Sequence, residues 1–234
     1  MNIAVILAGG SGSRVGFDIP KQFVEICDKP MIVHCIEVFQ NHPEIDGVML
    51  VCLKEYIDKM KELTVQYKLD KVMKIVNGGP TFMDSCKNGV YSLENECSEV
   101  DIVLVTSGDR PLISENTVSK AIATCKEKGN AMVSSPCSLC ICATEDQKSS
   151  TQLLVRDGLR TMATPWVFKF GMLYDVLKKN DAGIIKTDEP YPYALLLQSG
   201  QRIYFSENNS ENIKVTFKED FKIAETLMNN RKKV

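Results

Sequence analysis

Short apolar runs alternate with segments of helical periodicity through the first 135 residues, and this alternation limits the folds that the chain can adopt. The runs with strand character cover 3–7, 47–53, 72–76, 101–106 and 131–135. The segments with helical spacing cover 29–41, 55–67, 82–93 and 114–128, the last with Ser114 as a predicted N-cap. Because the strands are apolar on both faces, the pattern predicts an α/β fold with a mostly parallel sheet covered by helices.

The loops that follow three of these strands are expected to meet at one edge of the sheet, where parallel sheets bind ligands. These loops cover 8–21, 77–85 and 107–111. From about 136 to 160 the pattern changes to short polar and apolar stretches, which favour an extended hairpin. The elements predicted after it are helices at 169–179, 191–199 and 218–230 and strands at 202–205 and 213–215.

Composition limits the class of protein. The 234 residues, 44% of them hydrophobic, predict a single domain that spans residues 1–234. The net charge of −2 provides no general basic surface, which argues against a nucleic-acid partner. No apolar run approaches the ~18 residues of a membrane span, and the N-terminus lacks the basic region of a signal peptide. The sequence therefore predicts a cytoplasmic protein without a membrane partner.

Nine cysteines at scattered spacings are typical of reduced thiols rather than of a disulfide framework. Only Cys137, Cys140 and Cys142 form a cluster, and the two histidines, His34 and His42, lie far from it in the sequence. A structural zinc site requires four ligands. We therefore expect these cysteines to be small buried side chains of a strand.

The loop after the first strand is rich in glycine and carries two cations; residues 5–23 read VILAGGSGSRVGFDIPKQF. Its glycines, serines and cations are Gly9, Gly10, Ser11, Gly12, Ser13, Arg14, Gly16 and Lys21. Small residues let several backbone N–H groups face one anion, and an arginine and a lysine add charge-assisted donors. The segment matches neither standard phosphate-binding loop, and a flexible turn with surface cations is the alternative.

The whole string is more specific than its glycines. L-A-G-G-x-G-x-R-x-G followed by P-K-Q-F resembles the signature of the polyol-phosphate cytidylyltransferases, which act on 2-C-methyl-D-erythritol 4-phosphate or ribitol 5-phosphate. The resemblance implies a Rossmann-like, three-layer nucleotidyltransferase fold with a protruding β-arm at about 136–160. It also implies a homodimer, CTP, Mg²⁺ and a small phosphorylated acceptor. The implied nucleotide contacts are Leu7, Ala8, Gly9, Gly10, Ser11 and Gly12, with Arg14 and Lys21 as catalytic cations.

The segment GGPTFMDS at 78–85 resembles the nucleobase loop of this family, G-G-x-x-R-x-x-S. The resemblance implies that Gly79 and Ser85 contact cytosine. Phe82 stands where the family has arginine, and Pro80 replaces a residue that is often aspartate. Without the resemblance, the same letters predict an ordinary turn.

The segment TSGDRPL at 106–112 aligns with H-D-A-x-R-P of the family through Arg110 and the proline after it. Ser107 occupies the usual aspartate position, and an aspartate follows two residues later. Related nucleotidyltransferases with G-D-x-P bind Mg²⁺ through that aspartate, so Asp109 is the predicted metal ligand. Ser107 near the metal and a surface turn are the alternatives. Gly108 is predicted to contact the nucleotide, and Arg110 the acceptor.

The segments VRDGL, TDE and NIKVT resemble acceptor-side motifs of the family. The resemblance implies that Arg156 of the arm binds the acceptor phosphate across the dimer and that Thr187 also contacts the acceptor. It implies that Lys214 is a catalytic cation near the reacting phosphate. Two departures fall on this side: Cys140 occupies a threonine position, and Trp166 replaces the glutamine of T-P-Q.

We therefore predict an enzyme that transfers CMP from CTP to a small polyol phosphate, such as ribitol 5-phosphate, and releases pyrophosphate. The opening L-A-G-G favours the ribitol enzyme over the methylerythritol enzyme, which commonly has A-A-G. The alternatives are methylerythritol phosphate, a phosphonate or a phosphorylated amino alcohol as acceptor. A sugar-1-phosphate or molybdopterin nucleotidyltransferase and a nucleotide-binding regulatory protein are further alternatives.

Overall fold

The computed structural model describes residues 1–10 and 19–231, and within these ranges the chain forms eleven strands and seven α-helices. The strands are β1 (Asn2–Ala8), β2 (Glu25–Ile26), β3 (Lys29–Pro30), β4 (Gly47–Cys52), β5 (Val72–Asn77), β6 (Ile102–Ser107), β7 (Asn130–Pro136), β8 (Ile141–Ala143), β9 (Gln152–Leu154), β10 (Arg160–Lys169) and β11 (Phe205–Glu207). The α-helices are α1 (Met31–Gln40), α2 (Ile57–Gln66), α3 (Phe82–Tyr91), α4 (Glu115–Lys128), α5 (Phe170–Asp181), α6 (Pro192–Gln198) and α7 (Lys218–Arg231). No helix of the described ranges has both the length and the apolar character needed to cross a bilayer.

A seven-stranded sheet in the order β11-β7-β10-β6-β1-β4-β5 forms the middle of the protein. The strands β6, β1, β4 and β5 are parallel to one another, and β11 is parallel to β7. Strand β10 runs antiparallel to both of its neighbours, β6 and β7. The predicted α/β fold with a mostly parallel sheet is therefore confirmed.

Strand β1 explains why helices cover both faces of the sheet. Ala4 and Ile6 belong to one apolar core, which includes side chains of α1, α4 and α7. Ile3 and Val5 belong to a second core, which includes side chains of α3, α5 and α6. Successive side chains of a strand point to opposite faces. A run that is apolar at every position therefore requires a helical layer on each side, which makes three layers.

The last third of the chain departs from the predicted strands. Residues 213–215 form no strand, and the predicted strand at 202–205 is replaced by β11, which begins at Phe205. Strand β10 was not among the predicted elements. It contains Pro165, which cannot donate to a ladder and is typical of strand edges or bulges. The ladder between β10 and β7 shifts register between Met162 and Trp166, around this proline.

The predicted hairpin at 136–160, which we call the arm, is confirmed. Strands β8 and β9 pair antiparallel and form a sheet separate from the central one. The prediction for the cysteine cluster is partly wrong: Cys137 is buried, but Cys140 and Cys142 are exposed. These two cysteines lie on the arm, which packs against too little protein to bury them.

Candidate active site

A cavity of about 520 Å³ opens at the carboxyl ends of β1 and β6. Strands β4 and β5 lie on one side of β1, and β6 lies on the other, so the cavity is at a switch point of the sheet. The predicted site residues that line it are Leu7, Ala8, Gly9, Gly10, Lys21, Gly79, Ser85, Gly108, Asp109 and Lys214. Three other predicted residues lie outside the described ranges: Ser11, Gly12 and Arg14.

Glycines form part of the cavity wall, and at Gly108 a side chain would clash with a neighbour. A Cβ atom on Gly108 would lie 2.6 Å from Ile32 Cδ1 and 3.3 Å from Ala8 Cβ. A Cβ atom on Gly9 would lie 3.4 Å from Ser85 Oγ. Because these residues lack side chains, their backbone can approach a ligand closely.

The Lys21 ammonium is held by two acceptors at this cavity. Its Nζ lies 2.7 Å from Asp109 Oδ2 and donates to the Val215 carbonyl oxygen at 2.8 Å. Ser107 donates to Asp109 Oδ1 at 2.6 Å, so both carboxylate oxygens have partners. The side chains of Lys21 and Asp109 are only 13% and 11% exposed. This lysine is therefore ordered before any anion enters, which lowers the entropy cost of binding one.

Local hydrogen bonds fix the loop that precedes α3. Thr81 and Asp84 form a capping box, in which each side chain accepts from the backbone N–H of the other residue. The Gly79 N–H donates to Ser85 Oγ at 3.1 Å. A Cβ atom on Gly79 would lie 2.2 Å from Asp84 Cβ, so this position requires glycine. The loop thus presents a backbone edge and one small hydroxyl to the cavity.

Lys214 reaches the cavity from residues 208–216, a segment without helix or strand that we call the strap. The predicted acceptor residue Arg110 is not part of the described cavity lining. Instead, its Nη1 donates to the Asn212 carbonyl oxygen at 2.8 Å. Burial lowers the pKa of Arg110, and the nearby Asp109 carboxylate opposes this effect.

The other two predicted acceptor residues lie away from the described cavity lining. Arg156 is exposed in a short 3₁₀ turn, Arg156–Gly158, between β9 and β10. Thr187 lies between α5 and α6, where its Oγ1 accepts from the Glu189 N–H at 3.1 Å. The described fold of one chain therefore does not bring either residue to the cavity.

Comparisons with known proteins identify the family of this chain. The family model described as "IspD: 2-C-methyl-D-erythritol 4-phosphate cytidylyltransferase" matches residues 2–230. The chain belongs to the IspD family. It is 34% identical to the ribitol-5-phosphate cytidylyltransferase of Lacticaseibacillus paracasei, over 99% of both chains. It is 33% identical to the 2-C-methyl-D-erythritol 4-phosphate cytidylyltransferase of Clostridium tetani, over 97% of this chain and 90% of the relative.

A solved structure confirms the shared IspD fold. The 4-diphosphocytidyl-2C-methyl-D-erythritol synthase of Anaerococcus prevotii has a TM-score of 0.84 with this chain at 22% identity, over 98% of both chains. The family match and the curated relatives confirm the resemblance inferred from the sequence motifs. The chain is a member of a family of cytidylyltransferases, which are nucleotidyltransferases.

Two departures from the IspD-family signature contact each other. Phe82, at the arginine position, lines the cavity, and its ring centroid lies 6.0 Å from that of Trp166, at the glutamine position. Tyr191 packs edge-on against both rings. In this sequence, two aromatic residues stand at positions where the family has polar ones. This shared change could have predicted that the two side chains contact each other.

Sequence reasoning also missed two buried polar residues near the site. Gln22 is 3% exposed, and its Nε2 donates to the Ala8 carbonyl oxygen at 3.0 Å. Asn212 is 5% exposed, and its Nδ2 donates to the Thr164 carbonyl oxygen at 2.9 Å. Both residues stand in motifs already singled out, P-K-Q-F and N-I-K-V-T. Buried side-chain amides require hydrogen-bond partners. The two motifs could therefore have suggested that Gln22 and Asn212 bind the backbone near the site.

The donor set of the cavity suits a metal ion that enters with phosphate. Asp109 supplies the one carboxylate of the described lining. Residues 1–10 and 19–231 contain no group of three His, Cys, Asp or Glu side chains arranged to hold a metal. Mg²⁺ is commonly bound by one or two carboxylates together with substrate phosphates and water. Asp109 fits that pattern and does not form a complete protein cage.

Proposed function

We propose that this protein transfers CMP from CTP to the phosphate of a small polyol phosphate and releases pyrophosphate. The observation that carries the proposal is that one cavity is lined by a mostly buried lysine, a glycine-rich strand end and the loop of Gly79 and Ser85. The lysine and the backbone of Gly9 and Gly10 suit a triphosphate. The loop suits a pyrimidine, because its backbone edge and small hydroxyl can hydrogen-bond to the polar edge of such a ring.

The reaction requires no covalent enzyme intermediate. An oxygen of the acceptor phosphate forms a bond to the α-phosphorus of CTP, and the bond from that phosphorus to the pyrophosphate oxygen breaks. The bonding electrons leave with pyrophosphate, and the acceptor phosphate is ionised and needs no strong base. Catalysis then consists of positioning and charge stabilisation. Lys21 and Lys214 supply cations for it, and Arg14 is proposed to add a bidentate donor.

Mg²⁺ is the proposed cofactor, and Asp109 is the residue that would hold it. When bound, Mg²⁺ neutralises part of the charge on the phosphates. Ser107 orients the Asp109 carboxylate through its hydrogen bond to Oδ1. The Lys21 ammonium, which now pairs with Oδ2, can pass to phosphate oxygens when they arrive.

Ribitol 5-phosphate is the proposed acceptor. Relatives named ribitol-5-phosphate cytidylyltransferase match at 34% identity in Lacticaseibacillus paracasei and at 33% in Streptococcus agalactiae, over 99% of this chain. The second candidate is 2-C-methyl-D-erythritol 4-phosphate, since the Clostridium tetani relative of that name is 33% identical. Location in the cytoplasm and the lack of a nucleic-acid partner stay predictions.

We further propose a homodimer in which the arm of one chain completes the cavity of the other. The arm exposes three apolar side chains, Leu139, Leu153 and Val155, which a partner could bury. Arg156 follows them directly, outside the described cavity lining of its own chain. An arginine at the end of an apolar contact surface is well placed to bind an anion in a second subunit.

Mixing two defective variants tests whether Arg156 acts across the dimer. Lys21→Met and Arg156→Ala each damage every site of their own homodimer. In a mixed dimer, one of the two sites combines an intact Lys21 with an intact Arg156 from the partner. Mixing equal amounts should therefore restore about a quarter of the wild-type activity, since about half of the dimers are mixed. No recovery after verified subunit exchange would mean that Arg156 does not act across the dimer.

Pyrophosphate release tests the proposed function itself. Each of the four nucleoside triphosphates is combined with ribitol 5-phosphate, 2-C-methyl-D-erythritol 4-phosphate, a phosphonate and a sugar 1-phosphate, in the presence of Mg²⁺. Release with CTP and ribitol 5-phosphate, lost in Lys21→Met, is the expected result. Release with another acceptor would correct the acceptor. CTP binding without release for any pair would contradict an enzymatic role and favour a regulatory nucleotide-binding protein.

A further inference from the structure

The strap presents Lys214 to the cavity although residues 208–216 form no helix or strand. A segment without a ladder of backbone hydrogen bonds keeps one position only if other parts of the molecule hold it. The position of Lys214 therefore depends on the side chains that bind the strap on either side of it.

Arg110 binds the strap two residues before Lys214. Its Nη1 donates to the Asn212 carbonyl oxygen at 2.8 Å, across 102 positions of the sequence. Arg110 comes shortly after the end of β6, so its backbone is attached to the central sheet. Because the described cavity lining does not include Arg110, its guanidinium is directed to the strap rather than to a ligand in the cavity.

Contacts on both sides of Lys214 add to this attachment. The Asn212 Nδ2 donates to the Thr164 carbonyl oxygen at 2.9 Å, which attaches the strap to β10, and to Asn208 Oδ1 at 2.8 Å within the strap. On the other side of the lysine, the Val215 N–H donates to the Asp109 carbonyl oxygen at 2.9 Å. The strap is thus held two residues before and one residue after Lys214, which faces the cavity.

We propose that Arg110 is a positioning residue, which holds the strap so that the Lys214 ammonium faces the reacting phosphate. The inference rests on the proposed catalytic role of Lys214, and it replaces the acceptor-binding role predicted for Arg110 from the sequence. Lys214 lies between the held positions Asn212 and Val215. Releasing the first would let the lysine move, and a displacement of about 1 Å can cost about 100-fold in rate.

Kinetics of three variants separates positioning from direct binding. Arg110→Met, Asn212→Leu and Lys214→Met are each expected to lower kcat, the first by about 100-fold, with a smaller change in the acceptor KM. The double variant Arg110→Met with Lys214→Met should be no slower than Lys214→Met alone, because both changes remove the same effect. If Arg110 binds the acceptor, the two effects multiply, Arg110→Met mainly raises the acceptor KM, and Asn212→Leu stays close to wild type.

Amide hydrogen exchange of the free protein provides a measurement that needs no turnover. In Arg110→Met, exchange over 208–216 should accelerate about tenfold or more, while β1 and β4 stay protected. Lys71→Met is the matched control, because Lys71 Nζ also donates to a backbone carbonyl oxygen, that of His42 at 2.7 Å, and the hydrogen bonds described for Lys71 do not involve the strap. This control and Lys214→Met should leave exchange of the strap unchanged. If Arg110→Met fails to fold, Asn212→Leu serves as the test, since it removes the hydrogen bonds of the side chain to Thr164 and Asn208 and the longer one from Arg110.

The outcomes distinguish this inference from the proposed function. A wild-type protein without turnover contradicts the proposed function, whatever the exchange data show. A wild-type protein with turnover, together with unchanged strap exchange in Arg110→Met and Asn212→Leu, overturns the positioning role. Accelerated exchange with a matching, non-additive loss of kcat supports both.

Discussion

Replacing Lys21 by methionine removes an ammonium from the cavity while keeping the length and the apolar stem of the side chain. The ammonium lies 2.7 Å from Asp109 Oδ2 and 2.8 Å from the Val215 carbonyl oxygen. The variant loses the cation proposed to stabilise the reacting phosphate. It also leaves Asp109 with Ser107 as the remaining side-chain partner that the described residues provide.

The expected losses in activity and in stability differ in size. Removing one preorganised donor to developing charge costs about 10²–10³ in kcat, or about 2.7–4 kcal/mol. Leaving a charged hydrogen-bonding group with one partner fewer costs about 1–3 kcal/mol of folding free energy. The lower half of that range applies here because water can reach Asp109 through the cavity. A loss of about 1 kcal/mol lowers the Tm of a chain of this length by about 2–4 °C. The variant therefore stays folded at 25 °C, given a typical stability of about 5–15 kcal/mol.

Steady-state pyrophosphate release and thermal unfolding measure these two losses. The control is Lys29→Met, since Lys29 pairs with Glu37 at 2.7 Å and lies outside the described cavity lining. Both side chains of that pair are 28% exposed, so its loss should cost about 1 kcal/mol or less, with kcat within about twofold of wild type. A Lys21→Met enzyme with kcat within about threefold of wild type would refute the assigned role. So would a control that loses as much activity as Lys21→Met.

Three further changes probe other parts of the cavity. Asp109→Asn keeps the shape of the side chain but not its charge, so half-maximal turnover should need about tenfold more Mg²⁺; an unchanged titration would indicate that phosphates alone hold the ion. Ser85→Ala removes the acceptor of the Gly79 N–H and should raise the KM for CTP about 2–10-fold at saturating acceptor; an unchanged KM would contradict a role in nucleobase binding. Phe82→Leu and Trp166→Leu, combined in a double-mutant cycle of urea unfolding, should show a coupling of about 0.5–1.5 kcal/mol; strict additivity would mean that the two rings do not stabilise each other.

The core of the fold could be predicted from the sequence because its signals are local. Strands β1, β4 and β6 are short runs that are apolar at nearly every position, and the two helical layers require that pattern. The start of α4 could be predicted from Ser114, whose side chain accepts from the Thr117 N–H at 3.1 Å. Gly129, with a φ of +90°, ends the same helix in a conformation that favours glycine.

Features that depend on distant residues could not be predicted in the same way. The motif comparison identified Arg110 but not the direction of its side chain, which is determined by Asn212, 102 positions later. Apolar Ile213 and Val215 on either side of a polar residue resemble the pattern of a strand. Val215 is buried, but the strap that contains it does not join the sheet. A motif gives the type of residue at a position. The hydrogen-bond partner of that residue depends on which distant part of the chain folds next to it.

Two contacting pairs stand out among the departures from the family signature, and they bear on whether the site functions. Ser107, at the usual aspartate position, donates to Asp109, the aspartate two residues later. Phe82, at the arginine position, packs against Trp166, at the glutamine position. A scaffold that had lost its activity would accumulate changes without regard to one another, and a lost carboxylate or cation would leave its former partners unmatched. Here a carboxylate still faces Lys21 in the cavity, and the two polar residues are replaced by a packed aromatic pair. Paired changes of this kind favour a working nucleotidyltransferase, in which the cavity departs from the family pattern but keeps Lys21. They argue against a degenerate nucleotide-binding protein.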